Sequence, residues 1–382
     1  GALTVILAAI IAVFFYGMPF DKMLFSFVYG ALYGIWPIAW IIVAAIFLYK
    51  LTVKSGYFDI LRESIIAITP DQRLQVILIG FCFGAFLEGA IGFGGPVAIT
   101  AALLVGMGLK PLYAAGLCLI ANTAPVAFGA VGIPIIAMAG VVGVPAIEIS
   151  SVAGHMLPPL SLFVPFFLVF LMDGFKGVKE TWPALFVAGF SFAVVQYLTA
   201  THLGPELTDI ASAVVSIAAT TIFLKFWKPK NTFKFDEEVG GKQTIEAKQY
   251  SASQITLAWL PFVILIAMII IWTQGWFKDA LAFTTLKFNF DSLMGLIQVP
   301  PAVNEAKAVN SVFSLPLVLN AGTSIFITAL ITMALLKVKV STAVATFGET
   351  LNEMKFALLT IALVVGFAYI SNYSGLSATL AL

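Results

Sequence analysis

Phe86-Leu87-Glu88-Gly89-Ala90-Ile91-Gly92-Phe93-Gly94-Gly95-Pro96 sets one carboxylic acid, four glycines and a proline inside a long apolar region. Such a run cannot continue a helix cheaply, because each interior glycine costs about 1 kcal/mol and proline about 3 kcal/mol relative to alanine. The sequence on either side, from Leu74 to Val142, is otherwise apolar enough to lie in a bilayer. Irregular backbone at that depth survives only where protein or a watery cavity satisfies its polar groups. The run therefore predicts a helical membrane protein with an interior chain break.

The rest of the chain agrees. Hydrophobic residues make up 61% of the 382 and charged residues 10%, with a mean hydropathy of +1.04. Soluble domains are roughly 45–50% apolar and about 25% charged, so this sequence lies outside that class. Apolar runs without a sustained period of two favour helices over an outer-membrane barrel. A net charge of +1 suggests no nucleic-acid partner. Cys82 and Cys118 sit in apolar segments and read as small buried hydrophobes. With His155 and His202 the only other soft ligands, no metal site and no cofactor is expected. Gly1 stands where an initiator methionine would, and Leu382 ends within an apolar run, so the sequence reads as part of a longer chain.

Membrane spans are expected near residues 2–18, 24–49, 157–172, 182–200, 208–227, 255–277, 312–336 and 356–382, about 20 apolar residues being enough for one crossing. Lysine and arginine bias orients them. Basic residues gather at Lys50–Arg73, at Lys176 and Lys179, in the segment 228–254, and at Lys337–Lys355; all are assigned to the cytoplasm. The turn Pro19–Lys22, the loop Thr201–Leu207 and the segment 278–311 fall outside. That parity demands an odd number of crossings between Arg73 and residue 157. One solution is a re-entrant hairpin over 74–108 followed by one broken crossing over 111–142. Three complete crossings are the other.

Three motifs can carry chemistry. In the first, the run around Glu88, glycine permits positive φ and close approach to the backbone, so N–H groups can face a ligand. Pro96 suits the first turn of a new helix, whose N-terminus offers partial positive charge to an anion. Transporters use half-helix ends in this way for carboxylates. A packing seam would use the same glycines, but it leaves Glu88 unexplained. An ionised carboxylate in the bilayer costs roughly 2.5–3.5 kcal/mol on insertion scales, so Glu88 is a functional candidate.

The second motif is Ala121-Asn122-Thr123-Ala124-Pro125, followed by Gly129, Gly132 and Pro134. Pro125 frees a carbonyl one turn earlier. Asn122 and Thr123 either satisfy that freed backbone or offer an amide donor and a hydroxyl to a ligand. The third, Ser371-Asn372-Tyr373-Ser374-Gly375, is a polar interruption of the last span and is a further candidate lining. His155 reads as an interfacial loop residue, Lys110 as a snorkelling turn residue, and Asp59, Arg62, Glu63, Asp71 and Arg73 as a solvated amphipathic connector.

From Phe83 to Pro134 the chain resembles the L-lactate permease family of bacterial carriers. The strings that carry the likeness are Phe86-Leu87-Glu88-Gly89, Gly92 to Ile99, Leu112 to Gly116, Ala121 to Ala130 and Gly132 to Ile135. Tyr29 to Lys50 and Ile370 to Leu376 extend it over nearly the whole length. Gly95 stands where many members have alanine. The resemblance implies proton-coupled uptake of L-lactate, D-lactate and glycolate at the bacterial inner membrane. It also implies an inverted-repeat architecture whose second repeat is incomplete here.

The expectation is thus an all-α polytopic transporter, not an enzyme, with a re-entrant hairpin and a broken helix. Gly89, Gly92, Phe93, Gly94 and Gly95 would hold the substrate carboxylate, and Asn122 or Thr123 its hydroxyl. Ser374 would line the same cavity and Glu88 would carry the coupling proton. A non-transporting membrane scaffold subunit and an anion channel are the alternatives.

Overall fold

A computed structural model describes residues 1–92, 95–234, 250–293, 295–298, 307–309 and 311–381. The chain is a polytopic helical membrane protein. Among the described residues six helices are long and apolar enough to cross a bilayer, or seven if a bent pair counts as one more. α1 (Ala2–Phe14) leads into α2 (Phe20–Lys54), which kinks at Trp36 beside Pro37. After α3 (Tyr57–Ile66), α4 (Gln72–Ala90) is buried throughout, and α5 (Gly95–Gly106) returns along it. The two ends of this hairpin meet, the Gln72 side-chain amide donating to the Met107 carbonyl at 3.2 Å. Next come α6 (Pro111–Ala121) and α7 (Gly129–Val142), bent by 70° across the break between them.

α8 (Ala146–His202) reverses direction at Asp173 and Gly174, whose φ is +59°. Its two arms run antiparallel: Ser150 Oγ donates to the Ala200 carbonyl at 2.7 Å, and Ser161 Oγ to Gln196 Oε1 at 2.7 Å. His155 thus lies on a helix, not in a loop. α9 (Thr208–Phe226) packs along α8 and α4. α10 (Ala252–Thr273) starts at a capping box, the Ser251 hydroxyl accepting from the Gln254 N–H while Gln254 Oε1 accepts from the Ser251 N–H.

Beyond the short α11 (Gly275–Leu281) the expected loop is partly a β-ribbon, β1 (Thr285–Asn289) pairing antiparallel with β4 (Val312–Pro316); β2 (Ile297–Gln298) pairs with β3 (Lys307–Ala308). Val312–Pro316 therefore does not belong to a span. The helix there, α12 (Ala321–Leu335), starts after Asn320, whose side chain caps the Gly322 N–H at 2.7 Å. α13 (Val340–Ser374) and α14 (Leu376–Ala381) complete the described chain. Close glycine contacts hold the bundle: a Cβ on Gly30 would lie 2.7 Å from the Val365 carbonyl, and one on Gly322 2.8 Å from the Ile41 nitrogen.

Contacts gather the basic segments at one end. Lys50 pairs with Glu353 and Lys54 with Glu349, each at 2.6 Å. Arg73 and Asp71 are not solvated, since each side chain is 1% exposed. Asp71 caps α4 and chelates the Arg73 guanidinium, which also meets Asp173 at 2.7 Å, Glu180 at 2.9 Å and the Asn231 carbonyl at 3.0 Å. Phe233 lies under it, 5.3 Å from ring centroid to guanidinium carbon. All these partners except Asp71 are distant in sequence, which is why a local reading calls the pair a surface feature. At the other end the β-ribbon is tied to α2 by Lys22 on the Ser292 carbonyl and Tyr29 on the Val312 carbonyl.

Candidate functional site

Glu88 sits in the last turn of α4, 5% exposed. At 1.5 Å per residue it is about 24 Å along the helix from Gln72, far from the Arg73 cluster. The helix stops at Ile91, and Gly92 turns with φ +64° so closely against Ala130 that a Cβ would fall 2.6 Å from the alanine Cβ. The opposing segment is irregular too: Ala130, Val131 and Gly132 have φ of +45°, +58° and +76°. Positive φ at a β-branched valine is a strained conformation that packing must impose. That packing is visible, since a Cβ on Gly132 would lie 2.6 Å from the Pro205 carbonyl carbon. Three chain breaks, at 91–92, 122–132 and 203–207, thus press together.

Side chains meet where the breaks meet. The Asn122 side chain, at the end of α6, lies beside the Glu88 carboxyl group. Gly129 lies directly against that carboxyl, its absent Cβ 3.1 Å from the carboxyl carbon. Asp209, in the first turn of α9, packs on Gly89, whose absent Cβ would be 2.7 Å from the Asp209 Cβ and 2.9 Å from the Ile210 nitrogen. Asp209 is 1% exposed and feels the charge of Glu88. Among the described residues, Glu88 Oε2, Asn122 Oδ1 and both Asp209 carboxyl oxygens are buried without a hydrogen-bond partner. Buried acceptors of this kind are costly and rare. The site is a wall of acceptors short of donors.

The other sequence-derived candidates fall as follows. Gly89 and Gly92 line the contact just described. Gly95 opens α5 with space around it, the nearest atom to a built Cβ being Ile91 Cγ2 at 3.9 Å. Phe93 and Gly94 lie outside the described residues. Thr123 is exposed and its hydroxyl donates to the Ile120 carbonyl at 2.7 Å, so it serves the broken backbone. A buried glutamine on α8 serves the same break, Gln196 Nε2 donating to the Ala124 carbonyl at 3.1 Å. Ser374 closes α13, where Asn372 Nδ2 donates to the Val141 carbonyl at 2.7 Å. That is the opposite end of α7 from Glu88, so the structure does not bring Ser374 to the carboxyl pair.

Asp209 escaped the sequence reading. Its signal was an acid one residue inside a span, where the rule applied to Glu88 holds equally. Cys82 and Cys118 are buried and unpaired, with Cys82 Sγ 3.3 Å from Ser216 Oγ. An apolar cavity of about 800 Å³ lies elsewhere, between α2 and the β-ribbon, lined by Phe25, Trp36, Phe290 and Phe313 among others.

A family model described as L-lactate permease matches residues 1–382. The L-lactate permease of Salmonella typhimurium is 50% identical over 99% of this chain and 70% of its own length. The glycolate permease of Escherichia coli K12 is 51% identical over 100% of this chain and 71% of its own. The L-lactate permease of Bacillus subtilis is 48% identical over 100% and 71%. No solved structure matches the chain.

Proposed function

The chain belongs to the L-lactate permease family, and from that premise we propose that it carries L-lactate and related 2-hydroxymonocarboxylates, D-lactate and glycolate, by proton symport. The family consists of multi-pass membrane transporters rather than enzymes, and relatives named for lactate and for glycolate support this substrate class. One observation carries the reading: a buried carboxyl group, Glu88, lies directly against Gly129 of the second chain break, with the neutral amide of Asn122 beside it.

Charge balance explains why a proton travels too. Lactate alone would move a negative charge against an inside-negative potential, at about 2.3 kcal/mol per 100 mV. A proton on Glu88 makes the loaded step electroneutral. Ionised carboxyl and bound lactate repel each other in a low dielectric, so proton and lactate binding favour one another by linkage. Backbone at Gly89, Gly92, Phe93, Gly94 and Gly95 would receive the carboxylate, and Asn122 the hydroxyl. Thr123 and Ser374 take lesser parts, given their own partners. The glycine contacts describe a closed site, and admission of substrate requires the breaks to separate.

Labelled L-lactate uptake into proteoliposomes, with and without an imposed inward proton gradient, tests this. Accumulation above equilibrium only with the gradient is expected. Equilibration without accumulation under the gradient would leave a channel or uniporter.

A further inference from the structure

The geometry points to Asp209 as a second proton-bearing carboxyl of the site, which keeps its proton while Glu88 exchanges the coupling one. This rests on the symport reading and names the group that reading lacks. Asp209 is 1% exposed, it touches the residue next to Glu88, and among the described residues neither of its carboxyl oxygens has a donor. Glu88 Oε2 lacks one as well. A buried ionised carboxylate without donors is expensive, and two that meet the same turn of α4 are more so. Donors must therefore arrive with the cargo, and a proton is the smallest.

The charges balance in a defined way. The empty pair holds one proton, kept on the more deeply buried Asp209, and a single negative charge on Glu88. Lactate brings a second negative charge, and a second proton enters with it, so both carboxyls are neutral beside one lactate anion. Site charge is then the same empty and loaded, while lactate and one proton have crossed together.

The surroundings offer no competing partner. α5 and α7 carry no titratable side chain. On α4 the other titratable group near α9 is Cys82, which is bonded to Ser216. On α6, Tyr113 donates to the Leu171 carbonyl, and Cys118 is buried. On α8, Asp173 and Glu180 belong to the Arg73 cluster, Glu148 opens the first arm, and His202 is exposed and bonded to Leu198 and Thr201. Lys225 lies at the far end of α9. Glu206 precedes α9 and is held neutral more readily than usual by burial, with Lys278 opposing that.

The test is the pH dependence of lactate–lactate exchange at equal pH on both sides, in wild type and Asp209→Asn. Asparagine keeps the shape and removes the second charge. Exchange should persist, with the limiting slope of its alkaline fall reduced from two protons in wild type to one, because only Glu88 is left to lose a proton. A profile superimposable on wild type would overturn the pair. Should Asp209→Asn fail to insert, infrared difference spectra of the wild-type protein and Glu88→Gln decide. Two protonated-carboxyl bands from the site, one surviving in Glu88→Gln and carrying its own titration, support the pair. A single band that vanishes in Glu88→Gln overturns it. These spectra need no transport, so failure of the symport reading would show separately.

Discussion

Asp71 and Asp209 are equally buried, each 1% exposed, and their surroundings are opposite. Asp71 accepts from the Arg73 N–H, the Leu74 N–H, the Phe233 N–H and twice from the guanidinium. Asp209 accepts from nothing described, nor does Glu88 Oε2 beside it. At one end of α4 a charge cluster is saturated; at the other, a carboxyl pair is left short. A saturated buried ion network holds elements in place, here α4, the turn of α8 and the segment after α9. An unsaturated one has room for a proton or a ligand. The fold thus separates clamp from working site along a single helix.

Breaking the clamp should have the largest effect on stability. Arg73→Met strands three carboxylates, and loss of one partner from a buried pair costs about 3–5 kcal/mol. Unfolding in detergent should show that loss. A change below about 1 kcal/mol would mean that the cluster is solvated in the membrane-embedded protein. Glu88→Gln, at the other end, removes a charge that has no cation partner and should leave stability within about 1 kcal/mol of wild type.

The glycine contacts sharpen the contrast at a smaller scale. Gly132 and Gly143 have almost the same φ, +76° and +73°, but only Gly132 meets a neighbour. Gly143→Ala should cost about 1–2 kcal/mol for its left-handed backbone alone. Gly132→Ala adds overpacking against Pro205, about 1–3 kcal/mol more. Equal costs in thermal unfolding would mean that the breaks at 122–132 and 203–207 do not press together.

Much of this was legible in the sequence, for identifiable reasons. Glycine and proline break helices by local chemistry, so the interruptions at Glu88–Pro96 and Asn122–Pro125 could be read without the fold. The meeting of Glu88 with Asn122 depends on the hairpin turning back, which parity of the basic segments suggests. Asp209 carried the same signal as Glu88 but is easily passed over, because an acid in the first turn of a helix is ordinary until Gly89 is seen against it. Asp71 and Arg73 misled for the mirror reason: their charges suggest water, while the partners that permit burial lie on α8 and beyond. Strand β4 was hidden in an apolar run because Val312–Pro316 is as hydrophobic as the helix it precedes.

The smallest expected effect concerns Asn122. Asn122→Ala should weaken lactate binding by about 0.5–1.5 kcal/mol, the net worth of one neutral hydrogen bond. Propionate, which lacks the hydroxyl, should suffer less. Equal losses in competition assays would assign Asn122 to Glu88 alone.

In the proposed symport the buried Glu88 carboxyl at the chain breaks carries the coupled proton, and Glu88→Gln separates that placement from any other. Glutamine keeps the size of the protonated acid but cannot release a proton. In proteoliposomes with an imposed pH gradient, the variant should insert normally and fail to accumulate labelled lactate, while lactate–lactate exchange, which needs no net proton release, continues. Accumulation by Glu88→Gln at the wild-type level under the same gradient would contradict the account and move the coupling proton off Glu88.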